Sequence, residues 1–352
     1  MRKHSRKKRK RRSYELRRLR RLYWKKPRHK LYTPYISSKS YFSNGKEYHI
    51  KAPVDFRLLE NTQECVRFFR LLKSQKKAVS IPNGKKFQRI DLKKVKHIDF
   101  PSTMVLGAII DEMRDNAPVC YCSGRLPDSS KCSAYIRQSG FLDTRYNGNG
   151  IPYGQSSGSK SLRIERGQTK LDVQKVLSVV SIIKSTKEHL KVAQATRHYR
   201  QMDVIKEICG NAFGWSRAIN RQWTLGAKFD KDKVTFVVLD LGVGILDSLA
   251  RDYWDVLKDL FMNHSEKQIL EGAFLRKYKS ASEDNNRNRG LPSIKKAFKD
   301  GCVEQLNVLA NNVCLDFTNS KKSKKFVRDK NKAFDGTLYC WILTTDCFKQ
   351  KI

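Results

Sequence analysis

The chain has 352 residues, 39% of them hydrophobic, which is enough to bury a core of domain size. Lys and Arg number 73 against 34 Asp and Glu, so the formal net charge is +39 and the pI is near 10.0. That excess points to a polyanionic partner, nucleic acid above all, and no apolar run is long enough to span a bilayer.

Residues 1–44 form a basic arm. Between Arg2 and Lys30 there are 17 Lys or Arg and a single acid, Glu15. Residues 2–12 are too charged to fold alone, and the arm is expected to be largely disordered without a partner. Leu16, Leu19 and Tyr23 fall at helical spacing, as in a basic amphipathic helix that lies along phosphates or an anionic membrane surface. No continuous apolar segment follows the basic block, which excludes a secretory signal, and a mitochondrial transit peptide would carry more Ser. The plain alternative is a solvated tail.

Residues 45–145 read as an α/β unit. Strands are predicted at Tyr48–Ala52, Ala78–Ile81, Arg89–Leu92 and Val119–Ser123, and helices at Phe56–Lys73, Thr103–Arg114 and Ser129–Ser139. Ser102 is placed to cap the second of these helices. Residues 146–169, rich in Gly, Asn and Ser, read as a flexible linker. Lys170–Arg200 reads as one long helix, and a proline-free stretch from Gln201 to Ala218 as another. On the latter Glu207 and Asn211 share one face, beside an apolar stripe of Val204, Ile208 and Ala212. Lys233–Asp240 is a short β-branched apolar run, hence a buried strand. It ends in an acid at the mouth of a turn containing Gly242 and Gly244. A polar run follows Lys279 and Ser280, and Arg289-Gly290-Leu291-Pro292 opens another helix. Three more strands are expected around Leu306–Leu309, Val313–Phe317 and Leu338–Thr344, with Gly336-Thr337 just before the last. The nine cysteines contain no CxxC, and Cys120, Cys122 and Cys132 are poorly spaced for zinc. Reduced thiols in a cytoplasmic protein are expected.

Four motifs stand in one order: Glu207-Ile-Cys-Gly-Asn211, Asp240-Leu-Gly242-Val-Gly244, Asn288-Arg289-Gly290-Leu291 and Gly336-Thr337. Together they resemble the nucleotide site of the GHKL superfamily, which includes gyrase, bacterial histidine kinases, MutL and the anti-sigma-factor kinases. The resemblance covers residues 200–345. It implies a GHKL-type α/β sandwich over 170–352, with a mixed sheet covered by helices, and it implies ATP and Mg²⁺ as ligands. By resemblance, Asp240 accepts a hydrogen bond from the adenine amino group, Gly242 and Gly244 let the backbone approach the base, and Thr337 lies beside the adenine. Asn211 holds Mg²⁺ with the phosphates, and Glu207 is the catalytic residue that orients or deprotonates water. Lys279, Ser280, Arg289, Gly290 and Leu291 belong to a lid over the phosphates. Two departures bear on phosphoryl transfer more than on binding. Asn211 is followed by Ala-Phe-Gly214-Trp215-Ser216 where close relatives have Ala-x-Glu-His-Ser, and Gly290-Leu291-Pro292 replaces Gly-Leu-Gly.

Residues 97–113, with an acid at a strand end, Ser102 at the turn and an apolar helix after it, resemble the signature of STAS domains. In switching members of that family a turn Ser is phosphorylated by a partner kinase, and Ser102 is the nearest counterpart. His189 and His198 lack the acidic-then-proline context of a histidine-kinase phosphoacceptor. The resulting expectation is a Mg²⁺-dependent ATP-binding protein whose slow ATPase serves as a conformational switch, in a bacterial regulatory or defence-type system. The alternatives are an anti-sigma-type serine/threonine protein kinase and a nucleic-acid-binding protein with a non-hydrolysing ATP sensor. Nucleic acid through residues 2–30 is the expected macromolecular partner. A protein partner of the STAS-like domain and a homodimer are open options.

Overall fold

Hairpins and short crossovers arrange the strands of this chain into two main sheets. The computed structural model describes residues 49–81, 83–116, 118–142, 162–167, 173–194, 199–215, 223–252, 262–275, 290–327 and 333–349. The basic arm, residues 146–161 and 168–169 of the linker, His198, Lys279, Ser280 and Arg289 lie outside them. By contacts the chain divides into one unit of residues 38–141 with 156–352, and another of residues 1–37 with 142–155, of which only Leu142 is described.

In the first segment the order is β1 (His49–Lys51), β2 (Asp55–Phe56), α1 (Thr62–Lys73), β3 (Val79–Ile81), β4 (Lys85–Asp91), β5 (His97–Ile98), α2 (Phe100–Asp115), β6 (Cys120–Arg125) and α3 (Ser130–Gln138). The predicted elements are present with shifted ends. β4 is the hub of a four-stranded mixed sheet, parallel to β1 and β6 and antiparallel to β3. Asn83 and Gly84, both at positive φ, turn β3 into β4. α1 starts at Thr62 rather than Phe56, because Asp55–Phe56 is drawn into a parallel ladder with β5 and the Asn61 amide is tied back to the Asp55 carbonyl at 2.7 Å. The cap of α2 is Asp99, not Ser102: its carboxylate accepts from the Ser102 N–H at 2.9 Å. The Ser102 hydroxyl instead accepts from the Leu58 N–H at 2.9 Å, and the residue is fully buried.

The second segment runs β7 (Leu162–Gly167), α4 (Val173–His189), α5 (Tyr199–Trp215), β8 (Trp223–Phe229), β9 (Val234–Asp240), α6 (Ile245–Asp252), α7 (Glu266–Ala273), α8 (Gly290–Lys299), β10 (Glu304–Asn311), β11 (Val313–Asp316), β12 (Lys324–Lys325) and β13 (Phe334–Leu343). Its seven strands lie in the order β12-β11-β10-β13-β9-β8-β7. Every neighbouring pair is antiparallel, so the expected mixed sheet is corrected here. For two of the pairs the reason is local: β8 to β9 and β10 to β11 are joined by tight connections that permit only antiparallel pairing. Two further expectations change. Residues 162–167, read as linker, form β7 and pair along their whole length with β8. The helix expected over Lys170–Arg200 ends early: α4 covers Val173–His189, and α5, the helix expected from Gln201, begins at Tyr199. Lys191 adopts φ 55°, and the N–H of Val192 returns to the Lys187 carbonyl at 2.8 Å, ending α4 in a left-handed turn.

Alternation along the strands splits this sheet into two apolar faces. Trp223, Leu225, Phe236, Val238, Tyr339 and Trp341 join the core beneath α4 to α8, with Phe236 and Trp341 stacked at 5.3 Å. The opposite face is covered by the first segment, with α2 packed on β8 and β9 and α1 on β13. α2 is apolar on nearly all sides, as a helix between two sheets must be. Its other side meets β6. Gly226 of β8 makes room for it: a Cβ there would stand 2.6 Å from Met104 Cε and 2.8 Å from Phe100 Cζ.

Candidate functional site at the ends of β9 and β13

β9 ends in Asp240, which is 6% exposed. In the ladder Asp240 faces Thr337 of β13 on one side and Trp223 of β8 on the other. Gly242 donates its N–H to Asp240 Oδ1 at 2.9 Å, and the Thr337 hydroxyl on the neighbouring strand favours the ionised carboxylate. Burial is the dominant influence on this acid and pushes its pKa up to about 7; the Gly242 N–H, the Thr337 hydroxyl and the positive charge of Lys73 oppose that rise. A buried acid whose pKa is displaced this far is a candidate for a functional role.

Two glycines make the arrangement feasible. Gly336 has φ 130°, and a Cβ there would lie 2.0 Å from the Asp240 carbonyl oxygen, so β13 crosses the end of β9 in contact with bare backbone. Gly244 has φ 79°, and a Cβ would meet Asn311 Oδ1 at 2.4 Å. Asn311, at the end of β10, holds the loop after Asp240. Its Oδ1 accepts from the Leu246 N–H at 3.0 Å, and its Nδ2 donates to the Val243 carbonyl at 2.8 Å and to Asp247 Oδ2 at 2.9 Å. Sequence reasoning missed Asn311. Its only signal is an Asn-Asn pair at a hairpin, which reads as turn chemistry.

The other side of the site is α5 with α8. Glu207 and Asn211 face the first residue of α8: a Cβ on Gly290 would come 2.8 Å from Glu207 Oε2 and 3.2 Å from both Asn211 side-chain atoms. Leu291 is the next residue of that helix and packs partly buried against the core. Desolvation, with the charge of Asp203 one turn earlier, raises the pKa of Glu207. Tyr339, two residues beyond Thr337 on the same face of β13, joins the halves: its buried hydroxyl lies under the influence of both Asp240 and the Asn211 amide. Alternation from Thr337 was the available signal for Tyr339. Asn211 Nδ2 and the Tyr339 hydroxyl are buried without a hydrogen bond in acceptable geometry among the described residues. Such atoms are rare in folded proteins and call for an explanation, a missing ligand among them.

Of the predicted site residues, Glu207, Asn211, Gly290, Asp240, Gly242, Gly244 and Thr337 are thus gathered at one end of the large sheet, while Lys279, Ser280 and Arg289 lie outside the described residues. Among the described residues no group of three or more His, Cys, Asp or Glu side chains is placed to hold a metal. A Mg²⁺ ion would rest on the Asn211 oxygen together with phosphate and water oxygens, a donor set that suits this hard cation. No helix among the described residues is long and apolar enough to cross a membrane. None of the nine cysteines is in a disulfide. Comparison with family models, with curated proteins and with solved structures gave no match.

Proposed function

We propose that the protein binds ATP with Mg²⁺ beside the ends of β9 and β13 and the facing helices α5 and α8, hydrolyses it slowly, and uses the cycle as a conformational switch. On this reading the second segment is a GHKL-type α/β sandwich and the first is STAS-like. The observation that carries the proposal is the buried Asp240 with Gly242 and Thr337 around it, together with Glu207 and Asn211 set against the N-terminus of α8. Asp240 accepts from the adenine amino group, which replaces water that the buried carboxylate lacks. The N–H groups of Gly290 and Leu291 at the start of α8 would face anionic oxygen. Mg²⁺ at Asn211 would offset phosphate charge, and Glu207 beside it would hold the attacking water and take its proton. The raised pKa of Glu207 makes it a better base than an exposed carboxylate. Titration calorimetry with a non-hydrolysable ATP analogue and Mg²⁺ is expected to show one site per chain; no heat at any pH between 6 and 9 would remove the proposal.

Replacing Glu207 by Ala is expected to preserve analogue affinity and lower turnover about 10²-fold or more, the usual worth of a positioned base. Asn211→Ala should instead lose the Mg²⁺-dependent part of binding. Phosphate release and calorimetry on the two variants separate these outcomes, and unchanged hydrolysis in both would dissociate α5 from the chemistry. A non-hydrolysing ATP sensor is the runner-up and predicts no effect of Glu207→Ala on phosphate release. The kinase alternative finds no acceptor in Ser102, whose hydroxyl is enclosed between Leu58 and α2.

A nucleic-acid partner is proposed on charge. With 17 basic residues between Arg2 and Lys30, neutralising six phosphates gives log K falling against log salt with a slope of about −5. Tyr14, Tyr23 and Trp24 are suited to stack on unpaired bases, giving single strands an edge. Deleting residues 1–30 should remove most of this affinity and spare ATP binding. Binding of a labelled oligonucleotide across a salt series tests it; equal affinity of both proteins would leave the arm a solvated tail.

A further inference from the structure

α1 belongs to the first segment, yet one face of it reaches both backbone stretches that frame the candidate nucleotide site. Lys73 Nζ donates to the Leu241 carbonyl at 3.3 Å, the residue after Asp240. Arg70, one turn earlier, donates to the Ala333 carbonyl at 2.9 Å and pairs with Asp335 at 2.6 Å, two residues before Thr337. Glu112 of α2 pairs with Lys73 Nζ at 3.3 Å. These groups are half-buried, with side-chain exposures of 27% for Lys73 and 20% for Glu112, so the charges are screened less than on an open surface.

We propose that Arg70 and Lys73 are positioning residues for the nucleotide site: α1 braces the loop after β9 and the start of β13, so that Asp240 and Thr337 stay in hydrogen-bonding register and adenine binding is coupled to the first segment. The inference rests on the ATP-binding reading. The two backbone carbonyls are held by cations on a single rigid helix, spaced three residues apart so that they point the same way. The Lys73 charge also favours the ionised form of Asp240, the stronger acceptor for an amino group. The groups around Asp240 are the Gly242 N–H from its own loop and Thr337 and Tyr339 from β13, while Lys73 from α1 reaches the carbonyl of the next residue, Leu241, and acts on Asp240 through its charge. α5 presents Asn211 beside Tyr339 and, one turn before it, Glu207. Glu112 stands behind Lys73, and its own pKa is raised by burial first and then opposed by Lys73.

The test is analogue affinity by calorimetry between pH 6 and 9 for the full chain and three variants. Lys73→Met, which keeps the apolar stem, should weaken binding at pH 7 by about three- to tenfold and move the acidic limb of the affinity profile to higher pH. Lys73→Arg should restore both. Glu112→Gln removes a negative charge behind Lys73 and should move the limb the other way, to lower pH; it decides the matter even if Lys73→Met does not fold. Wild-type affinity and profile in Lys73→Met, a pH-independent loss that Lys73→Arg shares, or a limb moved upward by Glu112→Gln would each overturn the proposal. A wild-type chain that binds no analogue would overturn the ATP reading itself, an outcome distinct from those three.

Discussion

Asp240→Asn is expected to abolish adenine nucleotide binding and, at neutral pH, to make the nucleotide-free protein more stable than the wild type. The binding loss follows from hydrogen-bond direction. The amide turns a donor toward a site where adenine also donates, so an attraction becomes a conflict of two donors in a buried place. The gain in stability follows from burial. The folded-state pKa of Asp240 is pushed up to about 7 from the ordinary 3.8, chiefly by desolvation. Between those values the folded chain keeps a proton that the unfolded chain has released, so the stability linked to this group is complete below about pH 4 and is lost as pH rises through about 7. Above that range the wild type holds a buried charge that Asn lacks. The three-unit displacement corresponds to an upper figure of about 4 kcal/mol, and on the order of 2 kcal/mol is a fair expectation after relaxation around the charge. Melting curves of both nucleotide-free proteins from pH 4 to 8 should diverge with the mutant on top. Parallel curves would mean that Asp240 is not buried as described, and tight analogue binding by the mutant would remove it from adenine recognition. A residue that costs stability and supports binding is the pattern expected of a functional site.

Gly336→Ala carries the other large effect. The methyl group would be placed 2.0 Å from the Asp240 carbonyl oxygen and 2.9 Å from Leu241 Cα, both main-chain atoms that no rotamer change can move. The backbone at φ 130° is a second obstacle for any L side chain. A loss of about 3–5 kcal/mol is expected, and any folded fraction should bind nucleotide poorly, because Thr337 would shift from its place opposite Asp240. Chemical denaturation gives the stability and calorimetry the binding. A variant as stable as the wild type would mean that β13 does not run across Asp240 in this register.

The element types were legible from local pattern alone. β9 announces itself by a β-branched apolar run ending in an acid, and α5 by an apolar stripe beside Glu207 and Asn211, because side-chain periodicity is a local property. Element ends were less legible. Asp99 took the cap expected of Ser102, since both residue types cap well and only the packing of Leu58 against Ser102 distinguishes them. The break between α4 and α5 lies at Lys191, a non-glycine residue in the left-handed region, where no sequence signal for a turn exists. β7 was hidden in a polar segment because it is an edge strand whose pairing with β8, not its apolar content, makes it a strand.

By itself the amino-acid sequence determined the α/β class, the extreme positive charge, the acid at the end of β9 and the order of the motifs, for these depend on composition and on neighbours along the chain. Only the tertiary structure decided that Thr337 lies opposite Asp240, that Asn311 clamps the Gly242–Gly244 loop, that Tyr339 lies between the two halves of the site, and that Lys73 reaches Leu241 from 168 residues away. These contacts follow from strand register and from α2 being caught between two sheets. Both are set by the burial of whole faces at once, a property of the assembled core that no local window of residues contains.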